Sequence, residues 1–228
     1  MPTDLIHSQF DEVLREVLLI VGALFPIVNP LGGAPIFLTL TRDVSSAGRA
    51  LLARKVAMNG FILLLVAIFI GTHILAFFGI SLSVVQVGGG MVVISTGWKL
   101  LQHSADDEPA RRRTSMLEAS KRAFYPLTLP LTVGPGSISV AITVGANRPQ
   151  GSAMTLMALL GGVLGAAAIA LSIFLSYRFA GQIARALGDT AMNVILRLSS
   201  FILVCIGVQI FWNGVSALLH SAFPALRL

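Results

Sequence analysis

Apolar residues fill this chain in six long blocks, and the polar residues collect in the gaps between them. A bilayer's hydrocarbon core calls for about 20 consecutive, mostly apolar residues per helix. The blocks meet that length and predict spans at about 17–41, 56–78, 80–101, 123–145, 153–176 and 198–220. The gap around Gly79 is so short that the second and third spans should form a tight helical hairpin. The one sizeable gap, 102–122, holds Asp106, Asp107, Glu108, the Arg111–Arg113 run, Lys121 and Arg122, and reads as a solvated connector. Ahead of the first block, Ile6, Phe10, Val13, Leu14 and Val17 recur at helical spacing, which predicts an amphipathic lead-in lying along the membrane interface.

Composition agrees with the pattern. Hydrophobic residues make up 55% of the chain and charged ones 11%, against about 25% charged in a soluble domain. One soluble core could not hide that much apolar surface, so the fold class is an all-α membrane protein. The segment from Met1 to Glu16 carries Asp4, Asp11, Glu12 and Glu16 in place of a basic n-region, so the first span is expected to be the insertion signal and to stay in the mature protein. The net charge of +6 does not point to nucleic acid, because the basic residues sit between spans rather than on one face with aromatics. The single cysteine, Cys205, excludes an intrachain disulfide framework.

Read as topology signals, the basic residues divide sharply. The segments after the first, third and fifth spans hold 13 of the 16 Lys and Arg; the others are Arg15, Arg148 and Arg227. Positive charge stays cytoplasmic, so both termini are expected outside.

Three spans per half require the second half to be inverted relative to the first, and the prolines repeat accordingly. Pro26, Pro30 and Pro35 share a P-x3-P-x4-P spacing with Pro126, Pro130 and Pro135. An interior proline removes a donor and clashes with the preceding turn, at about 3 kcal/mol, so both helices should be discontinuous. Freed backbone groups are tolerated at membrane depth only where they are buried in protein or line a wet cavity. Paired broken helices in inverted repeats mark a transporter's central site. The third spans also correspond loosely, through Gly88–Gly89 and Ser199–Ser200. The predicted units are 1–101, the linker 102–122, and 123–228. The helices should restart near Ile36 and Ser137, with Ser137 and Ser139 placed to cap a positive helix end suited to a carboxylate.

The expected substrate contacts flank the breaks: Asn29, Pro30, Gly32, Gly33, Thr128, Thr132, Gly134, Gly136 and Ser137. No Asp or Glu falls within a span, which argues against a carboxylate proton relay; His73 is the candidate proton carrier. Asn59, Gln86, Gln209 and Asn213 can bond a substrate or another helix, while Lys99 and Arg197 should snorkel to the cytoplasmic surface. Gly161–Gly165 and Gly88–Gly90 fit close helix packing, and Trp98 and Trp212 lie near span ends, where amphipathic rings belong. The Gly134–Ser137 turn lacks the second glycine of a nucleophile elbow, and no metal or cofactor motif is present, so no enzyme is expected.

FPIVNPLGGAPIFLTLT, from Phe25 to Thr41, and FYPLTLPLTVGPGSISVAIT, from Phe124 to Thr143, resemble the MarC family of bacterial inner-membrane proteins. The resemblance covers nearly the whole chain and points to Asn29, Pro30, Gly32, Pro35, Pro130, Thr132, Gly134, Pro135 and Gly136. It implies a multi-pass plasma-membrane protein in the wider group of amino-acid exporters typified by the lysine exporter, with neutral amino-acid transporters among its relatives. The expected function is a secondary transporter of a small polar metabolite, a neutral amino acid foremost, working by alternating access. The alternative is a non-transporting scaffold or stress-response factor acting through partner proteins. The expected partners are the lipid bilayer and a small-molecule substrate, and a homo-oligomer is compatible with the pattern.

Overall fold

Proline and its neighbours decide where the spans bend. The computed structural model describes residues 2–102, 123–147 and 152–223, and every regular element among them is helical. Helix α1 (Pro2–Val28) and helix α2 (Pro30–Leu40) meet at Asn29 with a 40° bend. Pro30 has no N–H to extend the α1 ladder, but its fixed φ suits the first position of a new helix. Asn29 takes the left-handed conformation (φ 45°, ψ 59°), and its Oδ1 accepts from the Gly32 N–H at 3.1 Å. The restart is therefore at Pro30 rather than near Ile36, and Pro35 rides inside α2.

The second break is built differently. Segment α5 (Ala123–Thr132) is irregular, with Tyr125 and Leu129 extended. Each precedes a proline, whose ring disfavours the helical region for the residue before it. The Thr128 and Thr132 hydroxyls donate to the carbonyls five residues back, Ala123 and Leu127, both at 2.6 Å. Helix α6 (Pro135–Ala146) follows after a 67° bend. It starts at Pro135, two residues before the expected restart, for the same reason that α2 starts at Pro30.

Helix α3 (Ser46–Phe77) begins earlier than the expected 56 because Ser45 Oγ accepts from the Gly48 N–H at 3.2 Å. Arg49, Arg54 and Lys55 thus ride its first turns. The turn at Gly79 (φ 66°) leads into α4 (Leu82–Gln102), but the two helices do not close into the expected tight hairpin: α3 packs on α6 and α7, and α4 on α6 and α8. Helix α7 (Ser152–Arg178) precedes α8 (Ala180–Ala222), which breaks at Gly188 (φ 74°, ψ 168°). The sixth apolar helix is therefore Thr190–Ala222, earlier than the expected 198, because Arg197 interrupts the apolar block and not the helix. No breaker separates the N-terminal lead-in from the first span, so α1 is one helix, and Gly161 of α7 packs against its Val13 and Glu16. Residues 103–122 lie outside the described part, as do Arg148 and Arg227.

Four of these helices are long and apolar enough to cross a bilayer alone, and the two bent pairs make six if each is one span. Their contacts run through glycine. Gly165 of α7 meets Ile20, Gly71 of α3 meets Ile142, and Gly145 of α6 meets the Ile68 carbonyl. A common core of Ile20, Leu24, Phe37, Leu64, Val133, Ile169, Ile173 and Tyr177 ties α1, α2, α3, α7 and the second break together.

Helices α4 and α8 pack as an antiparallel pair. Gly90 faces Gly207, Gly97 faces the Ser200 carbonyl, and Gly214 faces the Ser83 carbonyl. Those residues spell the same motif twice, S-x6-G-x6-G at Ser83, Gly90 and Gly97 and again at Ser200, Gly207 and Gly214. Each copy reads the other backwards. This register differs from the looser match of Gly88–Gly89 with Ser199–Ser200. Gly89 instead packs on Ser139 of α6, so the glycine run does admit a broken helix.

Candidate functional site

The two breaks border one cavity of about 500 Å³, within the roughly 300–1,000 Å³ typical of small-molecule sites. Asn29, Gly32, Gly33 and Ile36 line it from the first break, and Pro130, Thr132, Gly134, Gly136 and Ser137 from the second. Val92, Val93, Thr96 and Lys99 of α4 and Leu203 of α8 complete the wall. Of the nine expected contacts, seven are thus brought together. Pro30 and Thr128 are buried but do not line the cavity. Thr128 is engaged by the Ala123 carbonyl and by Asn59 Nδ2, at 3.4 Å. His73 is exposed on α3, away from the cavity.

Sequence reading passed over the residue that joins the two breaks. Tyr177, near the end of α7, is 1% exposed. Its ring stacks on Phe37 of α2 with centroids 4.5 Å apart, and its hydroxyl lies 2.9 Å from Thr132 Oγ1. The Thr132 hydroxyl has one hydrogen, committed to the Leu127 carbonyl, so Tyr177 is the donor in this pair. The same phenol leaves no room for a side chain at Gly33, where a Cβ would lie 2.6 Å from the Tyr177 hydroxyl. Tyr177 is one of only two tyrosines, at the polar end of an apolar block, a place where outward-facing rings are common.

The two helix starts at the cavity differ in their capping. Asn29 occupies the start of α2 with its own side chain. The α6 start has Gly134 as its cap residue and no side-chain bond. Ser137 and Ser139 do not serve there: Ser139 Oγ donates across to the Val85 carbonyl of α4 at 3.1 Å. Gln86 Nε2 donates to Thr143 Oγ1 at 3.3 Å in the same α4–α6 contact. Lys99 is exposed, as expected, and is the one cationic side chain among the described wall residues; none of these is Asp or Glu. Among the described residues, no three His, Cys, Asp or Glu side chains converge as a metal site would need.

Apolar helices long enough to span a bilayer, with two discontinuous pairs around a cavity at their bends, define a multi-pass integral membrane protein. The chain belongs to the MarC family of integral membrane proteins, whose model matches residues 14–219. It is 32% identical to the inner membrane protein MarC of Escherichia coli strain K12 over 205 residues, 87% of this chain and 93% of that protein. It is 31% identical to the membrane protein YvbG of Bacillus subtilis strain 168 over 208 residues, 90% and 94% of the two chains. No solved structure matches it.

Proposed function

We propose that this protein is a secondary transporter of a small polar metabolite, foremost a neutral amino acid, which binds where the two broken helices meet. One observation carries the reading: both breaks border a single cavity with hydrogen-bonding groups set in an apolar wall. A scaffold has no use for such a space and would pack its breaks dry, since unpaired backbone costs free energy in an apolar medium.

The inverted repeat is part of the proposal. Exchanging α1, α2, α3 and α4 with α5, α6, α7 and α8 maps the main packing pairs onto one another: α3 on α6 becomes α7 on α2, and α4 on α8 maps onto itself. The reciprocal S-x6-G-x6-G pairing is what a two-fold axis through the Gly90–Gly207 crossing would produce. Each bent pair is then one span, giving six.

The Lys and Arg distribution supports both termini outside, in the inner membrane for which the Escherichia coli relative is named. Leu40, Thr96, Lys99 and Pro126 extend the cavity toward the ends of α2 and α4 and the start of α5, which is the basic side. This conformation is therefore open to the cytoplasm. The α4–α6 contact through Ser139 and Gln86 closes the opposite side. Alternating access would exchange the two arrangements.

The test is flux in proteoliposomes loaded with a panel of labelled neutral amino acids. Wild type moves at least one of them, and Asn29→Ala slows that flux about tenfold or more. If none is moved and the two proteins behave alike, the transport reading is wrong.

A further inference from the structure

Resting on the transport reading, we infer that the start of α6 is the seat of the solute's carboxylate. The transported class is then a free carboxylic acid that carries no net positive charge, with a zwitterionic neutral amino acid foremost. The first turn of any helix presents N–H groups without intrahelical partners, and its end carries roughly half a positive charge. Two such starts face the cavity, and Asn29 already occupies one. At the other, Gly134 offers no side chain, Pro135 has no N–H, and the Gly136 and Ser137 N–H groups have no hydrogen-bond partner among the described residues.

A second observation points to a ligand at the same place. Ser137 is 3% exposed and lines the cavity, yet its hydroxyl has no hydrogen-bond partner among the described residues. Its neighbours are all engaged: Thr132 with Leu127 and Tyr177, Ser139 with Val85, and Thr143 with Ser139. The Ser137 oxygen reaches the cavity rather than being sealed from it, so the hydroxyl, held beside unpaired N–H groups, is placed to donate to an acceptor from the cavity. Those three donors match a carboxylate, which accepts through two oxygens.

Charge on the rest of the wall sets the other end of the solute. No carboxylate among the described wall residues could pair with a cationic side chain. Ile27, Val28, Ile36, Val93 and Leu203 leave an apolar surface for a small side chain. Gly136 is held close to α4, since a Cβ there would strike Val93, and this keeps the backbone of the seat against the wall.

The probes are labelled glycine, L-alanine, L-serine and L-leucine in proteoliposomes, with competition against whichever enters fastest. L-alaninamide and ethylamine lack the carboxylate and, at a hundredfold excess, should leave uptake unchanged, while unlabelled L-alanine abolishes it. Ser137→Ala should raise KM about tenfold, the loss expected for one hydrogen bond to a charged group. Ser221→Ala, at the far end of α8, should not change it. Inhibition by alaninamide equal to that by alanine, or an unchanged KM in Ser137→Ala, overturns the carboxylate seat and leaves transport standing. Failure of wild type to take up any of the four overturns both.

Discussion

Gly88 and Gly90 lie two residues apart on α4, yet alanine should have opposite effects at the two positions. A Cβ at Gly88 meets nothing within 4 Å, so Gly88→Ala should express the helix-propensity gain of about 1 kcal/mol. At Gly90 the new methyl would lie 2.5 Å from the Phe211 nitrogen and 2.8 Å from the Gly207 carbonyl oxygen of α8. Carbon atoms pack best at about 3.5–4.0 Å, so the two backbones must separate by roughly 1 Å. Neither obstacle is a side chain that could rotate away. Overpacking of this kind costs about 1–3 kcal/mol; the propensity gain is common to both positions and cancels, which puts Gly90→Ala about 1–3 kcal/mol below Gly88→Ala. Gly207→Ala should cost as much, because its methyl would meet the Ile94 nitrogen at 2.7 Å. The Gly90→Ala/Gly207→Ala pair should cost less than the sum, since the first methyl has already parted the helices. The assay is equilibrium unfolding in mixed micelles followed by tryptophan fluorescence. The only two tryptophans, Trp98 and Trp212, lie one on each partner helix. If Gly90→Ala proves as stable as Gly88→Ala, the packing and the register derived from it are wrong.

Tyr177→Phe should cost about 1 kcal/mol, at the low end for a buried hydrogen bond, because Thr132 keeps Leu127 as its acceptor. Gly33→Ala should cost more in wild type but nothing in the Tyr177→Phe background, where the nearest ring atoms lie at 3.4 Å, an ordinary contact; equal costs in the two backgrounds would remove the phenol as the obstacle. Asn29→Ala should lose about 1–2 kcal/mol of thermal stability through the missing cap, whereas Asn29→Gly, which tolerates φ 45°, should lose less. A cysteine at Thr96, in a Cys205→Ser background, should react with an impermeant maleimide from the cytoplasmic side of oriented vesicles and not from the other. Equal labelling from both sides would contradict a cavity closed by the Ser139 and Gln86 contacts.

The apolar blocks made the helices legible because bilayer thickness fixes their length, and the repeated prolines made both breaks legible because an interior proline costs a helix about 3 kcal/mol, although Pro26 and Pro35 are carried inside α1 and α2. Boundaries were less visible. Ser45 and Asn29 cap helix starts through local hydrogen bonds, and hydropathy is blind to that, so α3 begins earlier than its apolar block and α2 earlier than the expected restart. The seven cavity residues were legible for the same reason as the breaks, whereas Pro30 and Thr128 belong to the breaks without facing the space between them.

Tyr177 was not legible, and the reason is geometric. A tyrosine or lysine at the end of an apolar block has two physically sound destinations, the headgroup region or an interior polar space, and only the neighbouring helices decide between them. At Tyr177 the decision is made by Gly33, which leaves room for the phenol, and by Thr132, which accepts its proton. The S-x6-G-x6-G motif was present in the sequence, but seven-residue spacing has no meaning until a partner helix is known to run antiparallel to it. Once that partner is α8, the motif gains a strict consequence: a shift of α8 by one turn would set the Gly90 backbone against a side chain instead of Gly207. The α4–α8 pair can therefore tilt about its crossing more readily than it can slide.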